Sequence, residues 1–213
     1  SESTNSILHG NRDGERPGTG LERSGETALQ RREYTGGIGV AGLAQLESFV
    51  RQGGNLIALD AAADLPVQLF PLPVRSSIPS SAMTEGGTPA GFFSPGSILR
   101  ITVDNTHPLA FGMPPEAYAF SSGGQAYDIT LLPEYNSGDR EVRSVAKYAS
   151  KDLLASGWIS GEQAVLGKHI LLDVRYGKGH VILFGFRPQF RGQSFGTFKF
   201  LLNAIYLGSA RTL

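Results

Sequence analysis

The chain has 213 residues, which is enough for one sizeable hydrophobic core but short for two domains. Its 19 basic and 19 acidic residues cancel to a formal net charge of +0, so the composition predicts no nucleic-acid partner. No apolar run approaches the roughly 20 residues of a membrane span. The absence of cysteine excludes disulfides, thiolate metal sites and cysteine nucleophiles, but it does not identify the compartment.

Residues 1–35 are polar and rich in turn-forming residues, which predicts an irregular or partly disordered arm. Apolar residues then recur at helical spacing over 40–50, which predicts a helix that Gly53 and Gly54 end. The apolar run NLIALD, residues 55–60, is typical of a buried and parallel strand. A second short helix, broken by Pro66, is predicted directly after this strand.

Residues 36–213 are predicted to form one α/β domain. A stretch rich in Ser, Gly, Pro and Thr over 75–97 indicates a long loop. Strands are predicted at Ser97–Asp104, Ala117–Ser121, Val142–Tyr148, Lys168–Tyr176 and His180–Phe186. The last two flank a Gly-Lys-Gly turn and should form an antiparallel hairpin. A closing helix follows over 196–207, and its predicted core face carries Phe198, Leu201, Leu202 and Ile205.

The run GKGHVILFGFRPQFRGQSFGTFKFLLNAI, residues 177–205, resembles the C-terminal end of class I glutamine amidotransferase-like domains. In active members of that family the strand ends in His-Pro-Glu, and the nucleophile is a cysteine. The matching triplet here is Arg187-Pro188-Gln189. Arginine cannot act as a base near neutral pH, and an amide cannot orient one as a carboxylate does. The resemblance implies a flavodoxin-like three-layer sandwich with a mostly parallel sheet, a C-terminal antiparallel hairpin and a degenerate active site.

Further segments extend this resemblance over residues 34–207: GGIG…L..FV..GGNLIALD, FPLPVR, SPGSILRITVD…HPLAFGMP and KDLLASGWISGE. Together they are similar to the amidotransferase-like domain that follows the catalytic domain in bacterial zinc carboxypeptidase-like metallopeptidases. No histidine here is followed by glutamate three residues later, so the zinc-binding His-x-x-Glu pair of such peptidases is absent from this chain. The resemblance therefore implies a non-catalytic accessory domain with no cofactor or metal of its own. Its partner would be the zinc-bearing peptidase domain of the same polypeptide, in a periplasmic or secreted enzyme.

The family's opening strand-helix-strand unit has no counterpart in residues 1–35. We therefore expect one side of the sheet to be unpaired. Such a side predicts either self-association or packing of the 1–35 arm across it.

Asp60 stands where the family places its nucleophilic cysteine, and Arg187 stands where the family places its histidine. These two positions must touch in an active member, so we expect an ion pair between the Asp60 carboxylate and the Arg187 guanidinium. Further ligand-binding candidates are Gln189 and Arg191 in the same loop, and Trp158, whose ring suits stacking on a sugar or peptide but is also typical of buried packing. Two other functions stay open: an independent hydrolase, or a small-ligand (for example sugar) binding domain, using a pocket around Asp60 and Arg187.

Two short motifs have simpler interpretations than the functions they suggest. Gly37-x-Gly39-x-x-Gly42 matches the dinucleotide fingerprint, but no apolar strand precedes it, which favours a glycine-rich helix entry. Gly192-x-Ser194-x-Gly196 matches the serine hydrolase elbow, but no Asp, Glu or His follows it, which favours a helix N-cap at Ser194.

Overall fold

The computed structural model describes residues 2–10, 36–78, 91–130, 141–192 and 194–210. The helices in this part of the chain are α1 (Glu2–His9), α2 (Gly39–Arg51), α3 (Asp64–Leu69) and α4 (Phe198–Ala210). The strands are β1 (Asn55–Leu59), β2 (Val74–Ser76), β3 (Ser97–Val103), β4 (Glu116–Ser121), β5 (Tyr127–Ile129), β6 (Val142–Tyr148), β7 (Leu154–Ser156), β8 (His169–Tyr176) and β9 (Gly179–Phe184). None of the described helices is both long and apolar enough to cross a membrane.

The main sheet has the strand order β1-β9-β8-β6-β3-β4, and β2, β5 and β7 pair along its sides. Only β1 and β9 pair in parallel among the described strands, with Asn55 opposite His180 and Leu59 opposite Phe184. The other pairings are antiparallel. The sheet is therefore mixed, and the prediction of a mostly parallel sheet is wrong. Parallel neighbours need long crossover connections, whereas the short turn between β8 and β9 allows only a hairpin.

Helices cover both faces of the sheet, because alternate residues of its central strands point to opposite sides. On one face, Leu172 and Leu183 lie in a cluster with Val50 of α2 and Phe70 after α3. On the other face, the core cluster includes Phe200 of α4. This layered arrangement places α2 and α3 opposite α4 and confirms the α/β class.

The core face of α4 differs from the prediction. Phe200 and Ala204 are fully buried, whereas the predicted core residues Leu202 and Ile205 are about half exposed. Both sets of residues lie at helical spacing, so the apolar pattern alone did not distinguish them. The prediction for the start of α4 is correct in outline. Ser194 takes the N-cap position of the short 3-10 turn before α4, but its side chain makes no capping hydrogen bond.

The N-terminal arm contains regular structure where irregular structure was predicted. Residues 2–9 form α1, which packs on α2 and α3, and the Ile7 carbonyl accepts a hydrogen bond from the Ile38 N–H at 2.9 Å. Residues 11–35 lie outside the described part of the chain. The predicted break at Pro66 is also absent, because Pro66 falls in the first turn of α3, where its missing N–H removes no helical hydrogen bond.

Strand β1 is the end strand of the sheet, and its outer edge has no strand partner within the described residues. Phe49 of α2 and Ile205 of α4 flank this edge and are 54% and 50% exposed. Any open sheet has two such edges, so the expectation of an unpaired side left by missing strands stays a prediction, as does self-association through it.

Candidate functional site

Asp60 occupies a sharp turn between β1 and a short 3-10 helix that leads into α3. Leu59 is extended, with φ −112° and ψ 131°, but Asp60 has φ +52°. The left-handed conformation costs a residue with a side chain about 1–2 kcal/mol. Such strain concentrates at functional sites, and a strained strand-to-helix turn is the geometry that presents nucleophiles in hydrolases. The backbone therefore has the form of an active-site turn, with a carboxylate at its tip.

Arg187 follows β9 and reaches the same point from the neighbouring strand. Because β1 and β9 are parallel, their carboxyl ends meet at one edge of the sheet. The Arg187 Nε donates to the Asp60 Oδ2 at 2.5 Å. The Asp60 side chain is 11% exposed, whereas that of Arg187 is 46% exposed. The predicted ion pair is present, and water reaches it from the arginine side.

The loop after Arg187 carries two further candidates around the ring of Phe190. This ring stacks on Phe120, with centroids 4.3 Å apart and an interplanar angle of 5°. The guanidinium carbons of Arg187 and Arg191 lie 5.6 and 5.2 Å from its centroid, within cation–π range. Gln189 is exposed, and in the described part of the chain no side-chain hydrogen bond links it to the ion pair. Arg187 thus binds Asp60 and shares the Phe190 ring with Arg191, whereas the Gln189 side chain has no recorded contact with them among the described residues.

Two fully buried tyrosines, Tyr127 and Tyr148, were not identified from the sequence. Burial raises the pKa of Tyr127 well above its usual value, and the charges of Asp64 and Asp60 add to the increase. Its hydroxyl has no hydrogen-bond partner among the described residues. The Tyr148 hydroxyl donates to the Gln125 carbonyl at 3.3 Å, and burial raises the pKa of Tyr148 as well. Tyr127 lies on a three-residue strand that no periodic pattern predicts, and aromatic residues in strands are normally core residues.

The groups at this site are better suited to binding or structural support than to catalysis. The Asp60 carboxylate is neutralised by Arg187, and a guanidinium cannot accept a proton. Both tyrosines keep their protons at neutral pH, so neither can act as a base there. The site presents a paired carboxylate at a strained turn.

Trp158 lies apart from this group. Its side chain is 56% exposed and packs edge-on against Phe93 at 5.6 Å, and its backbone bonds to Ser97. The alternative that Trp158 is largely buried is therefore wrong, and no contact joins it to Asp60 within the described residues.

A second buried polar cluster brings together two histidines that are distant in sequence. His180 Nδ1 lies 2.7 Å from Asp173 Oδ1, and His107 Nε2 lies 3.4 Å from Asp173 Oδ2. His107 Nδ1 accepts the Leu109 N–H, so the proton of a neutral His107 is on Nε2, facing the carboxylate. Among the described residues, no group of three or more His, Asp or Glu side chains is arranged to hold a metal ion. This cluster gives the carboxylate buried in the sheet two imidazole neighbours.

The glycine-rich entry to α2 packs on α1 at its first glycine. A side chain at Gly37 would collide with the backbone of Leu8 at the end of α1, whereas one at Gly39 would meet open space. The helix-entry interpretation therefore rests on the sequence, which has no apolar strand before Gly37.

No family model matches the chain, and no curated protein matches it significantly. Solved structures that resemble it include ThuA-like proteins from Bacteroides uniformis (16% identity, TM-score 0.45, 78% of this chain and 62% of that one) and Parabacteroides merdae (14% identity, TM-score 0.48, 81% and 66%). A β-galactosidase from Bacillus circulans sp. alkalophilus is 11% identical with a TM-score of 0.44, over 80% of this chain and 21% of that one. ThuA-like proteins have class I glutamine amidotransferase-like folds. The chain spans less than two thirds of the length of the two ThuA-like chains. At TM-scores below 0.5 these likenesses decide neither fold nor function, which rest on the geometry described above.

Proposed function

We propose that this chain is a non-catalytic amidotransferase-like domain in which an ion pair replaces the catalytic pair. The observation that carries the proposal is the Asp60–Arg187 contact at the carboxyl ends of two parallel strands, with Asp60 in a left-handed turn. An arginine at this position removes the base, and its salt bridge neutralises the Asp60 carboxylate, the candidate nucleophile of this turn. The role that remains is structural or one of binding.

The parent enzyme is the finer part of this proposal. The sequence resemblance over residues 34–207 supports a zinc carboxypeptidase-like metallopeptidase, with this domain following its catalytic domain. The zinc would then be bound by the catalytic domain, and this domain would pack on it or hold part of the substrate. The reading frame that encodes the chain tests this point, because a His-x-x-Glu motif with a distant histidine upstream is required, and its absence would remove the peptidase assignment.

Activity assays of the purified chain test the non-catalytic role. We expect no glutamate release from glutamine and no zinc-dependent removal of C-terminal residues from peptides. Either activity, if abolished by Asp60→Asn, would show that the site is a working enzyme and would refute the proposal. The same activity retained in Asp60→Asn would point to a contaminating enzyme.

A second candidate function is small-ligand binding at the ion pair. It is favoured by the 46% exposure of the Arg187 side chain, which leaves the arginine side of the pair accessible to a ligand. A ligand that binds there should lose affinity in Arg187→Gln.

A further inference from the structure

The solvent-facing side of β3 and β4 forms a cleft that is separate from the Asp60 site. Arg100 lies opposite Tyr118 and Thr102 opposite Glu116 in the antiparallel register, while the alternate residues of both strands are buried. The loop 149–154 forms one wall. The cleft encloses about 900 Å³ and is also lined by Glu162. Three strands separate β3 from β1 in the sheet, so this β3–β4 cleft does not share residues with the ion pair.

The Arg100 guanidinium is held in place on the floor of the β3–β4 cleft. Its Nη1 donates to the carbonyls of Asp152 at 2.5 Å and Leu154 at 3.1 Å. Asp152 has φ +50°, an unfavourable conformation for a residue with a side chain, and its carbonyl is one of the two that hold the guanidinium. Ordering a long side chain before a ligand arrives lowers the entropic cost of binding. The cleft therefore contains a preorganised donor group.

The charges of the cleft indicate the class of ligand. Two cations, Arg100 and Lys151, line the cleft. Three carboxylates line it as well: Glu116, Asp152 and Glu162. Groups of both signs create no strong field of one sign, which disfavours a highly charged ligand. Hydroxyl groups both donate and accept hydrogen bonds, so a ligand rich in hydroxyls can satisfy cations and carboxylates together.

The Tyr118 ring supplies the apolar part of the site. It is 53% exposed and lies beside Arg100 across the strand pair. An exposed aromatic ring buries apolar area at little conformational cost when a flat partner stacks on it. We propose that the β3–β4 cleft binds a glycan: a sugar ring stacks on Tyr118, and its hydroxyls bond to Arg100, Thr102 and Glu116.

The test uses the full chain and soluble oligosaccharides as probes. Xylo-, cello-, manno- and chitohexaose are titrated by calorimetry and by ligand-observed NMR, at concentrations up to about 10 mM. We compare the wild type with Tyr118→Ala. Phe111→Ala is the matched control, because Phe111 is 79% exposed and does not line the cleft. Equal thermal midpoints for the three proteins show that neither substitution disturbs the fold.

At least one hexaose should bind the wild type and Phe111→Ala equally and bind Tyr118→Ala about tenfold more weakly or not at all. Failure of every hexaose to bind the wild type overturns the proposal, as does equal binding to Tyr118→Ala. The peptide Gly-Gly-Gly-Gly is titrated in parallel. If this peptide bound in a Tyr118-dependent way and no glycan bound, the ligand of the cleft would be a zwitterionic peptide and the glycan assignment would be refuted.

Discussion

Removal of either partner of the Asp60–Arg187 ion pair should destabilise the protein, but by unequal amounts. Arg187→Gln leaves a carboxylate that is 11% exposed without its counter-ion, whereas Asp60→Asn leaves an arginine that is already 46% exposed and can turn to water. A stranded charge in a fully buried pair costs about 3–5 kcal/mol, and an exposed pair contributes about 0–1 kcal/mol. Because water screens this pair through the exposed arginine, the cost of the stranded carboxylate should be smaller than in a fully buried pair. We expect a loss in the free energy of unfolding of about 1–2 kcal/mol for Arg187→Gln and about 1 kcal/mol or less for Asp60→Asn.

The measurement is a double-mutant cycle on the free energy of unfolding in urea, at pH 7 and low salt. The two single variants and Asp60→Asn/Arg187→Gln should give a coupling energy of about 1 kcal/mol. The coupling should decrease in about 1 M salt, because water reaches the arginine side of the pair. A coupling energy indistinguishable from zero would refute the inference that this contact stabilises the fold.

The strained backbone of Asp60 gives an independent comparison. Asp60→Ala and Asp60→Gly both remove the carboxylate, but only glycine adopts φ +52° without steric cost. Glycine also gives the unfolded chain more conformational entropy than alanine does, which offsets part of this advantage. The net result should be that Asp60→Gly is more stable than Asp60→Ala by about 1 kcal/mol. Equal stabilities would contradict the left-handed turn.

Further predictions concern the rest of the fold. Gly179→Ala should lower the free energy of unfolding in urea by about 2 kcal/mol or more, because its Cβ would collide with carbonyl oxygens at the end of α2. Gly196→Ala is the control: its Cβ meets open space, so the free energy of unfolding should change by less than about 0.5 kcal/mol. Similar losses in the two variants would be inconsistent with this packing. Asp173→Asn should lose about 2 kcal/mol, since the carboxylate is 3% exposed between two histidines, and a neutral effect would show that its charge is not needed. A hydrogen bond from Lys168 lowers the pKa of Asp128, so Lys168→Ala should be less stable than the wild type by up to about 1 kcal/mol at pH 7. The difference should vanish as the pH falls through that lowered pKa, below 3.8. A difference that persists at lower pH would exclude this linkage. The edge of β1, which has no strand partner within the described residues, predicts dimers or larger species in sedimentation velocity. A monomer at high concentration would contradict this prediction.

Local patterns predicted most of the long elements. The apolar residues at helical spacing before Gly53 lie in α2, and the run NLIALD contains β1. The Gly-Lys-Gly turn joins β8 to β9 as a hairpin. The three strands β2, β5 and β7 were not predicted, because three residues carry too little periodicity to identify a strand. The Asp60–Arg187 contact was predicted through the resemblance, since the two parallel strand ends that carry these residues are close in any member of the fold.

The sequence by itself determined the positions of turns and of alternating or helical apolar residues, because these depend on the backbone preferences of neighbouring residues. It also determined that the chain offers no cysteine nucleophile and that an arginine follows the strand β9. Only the tertiary structure decided that the sheet is mixed, that Phe200 and Ala204 face the core, and that the Tyr127 hydroxyl is buried without a hydrogen-bond partner among the described residues. These features depend on which elements pack against each other, and packing joins residues too far apart in sequence for any local pattern to relate them.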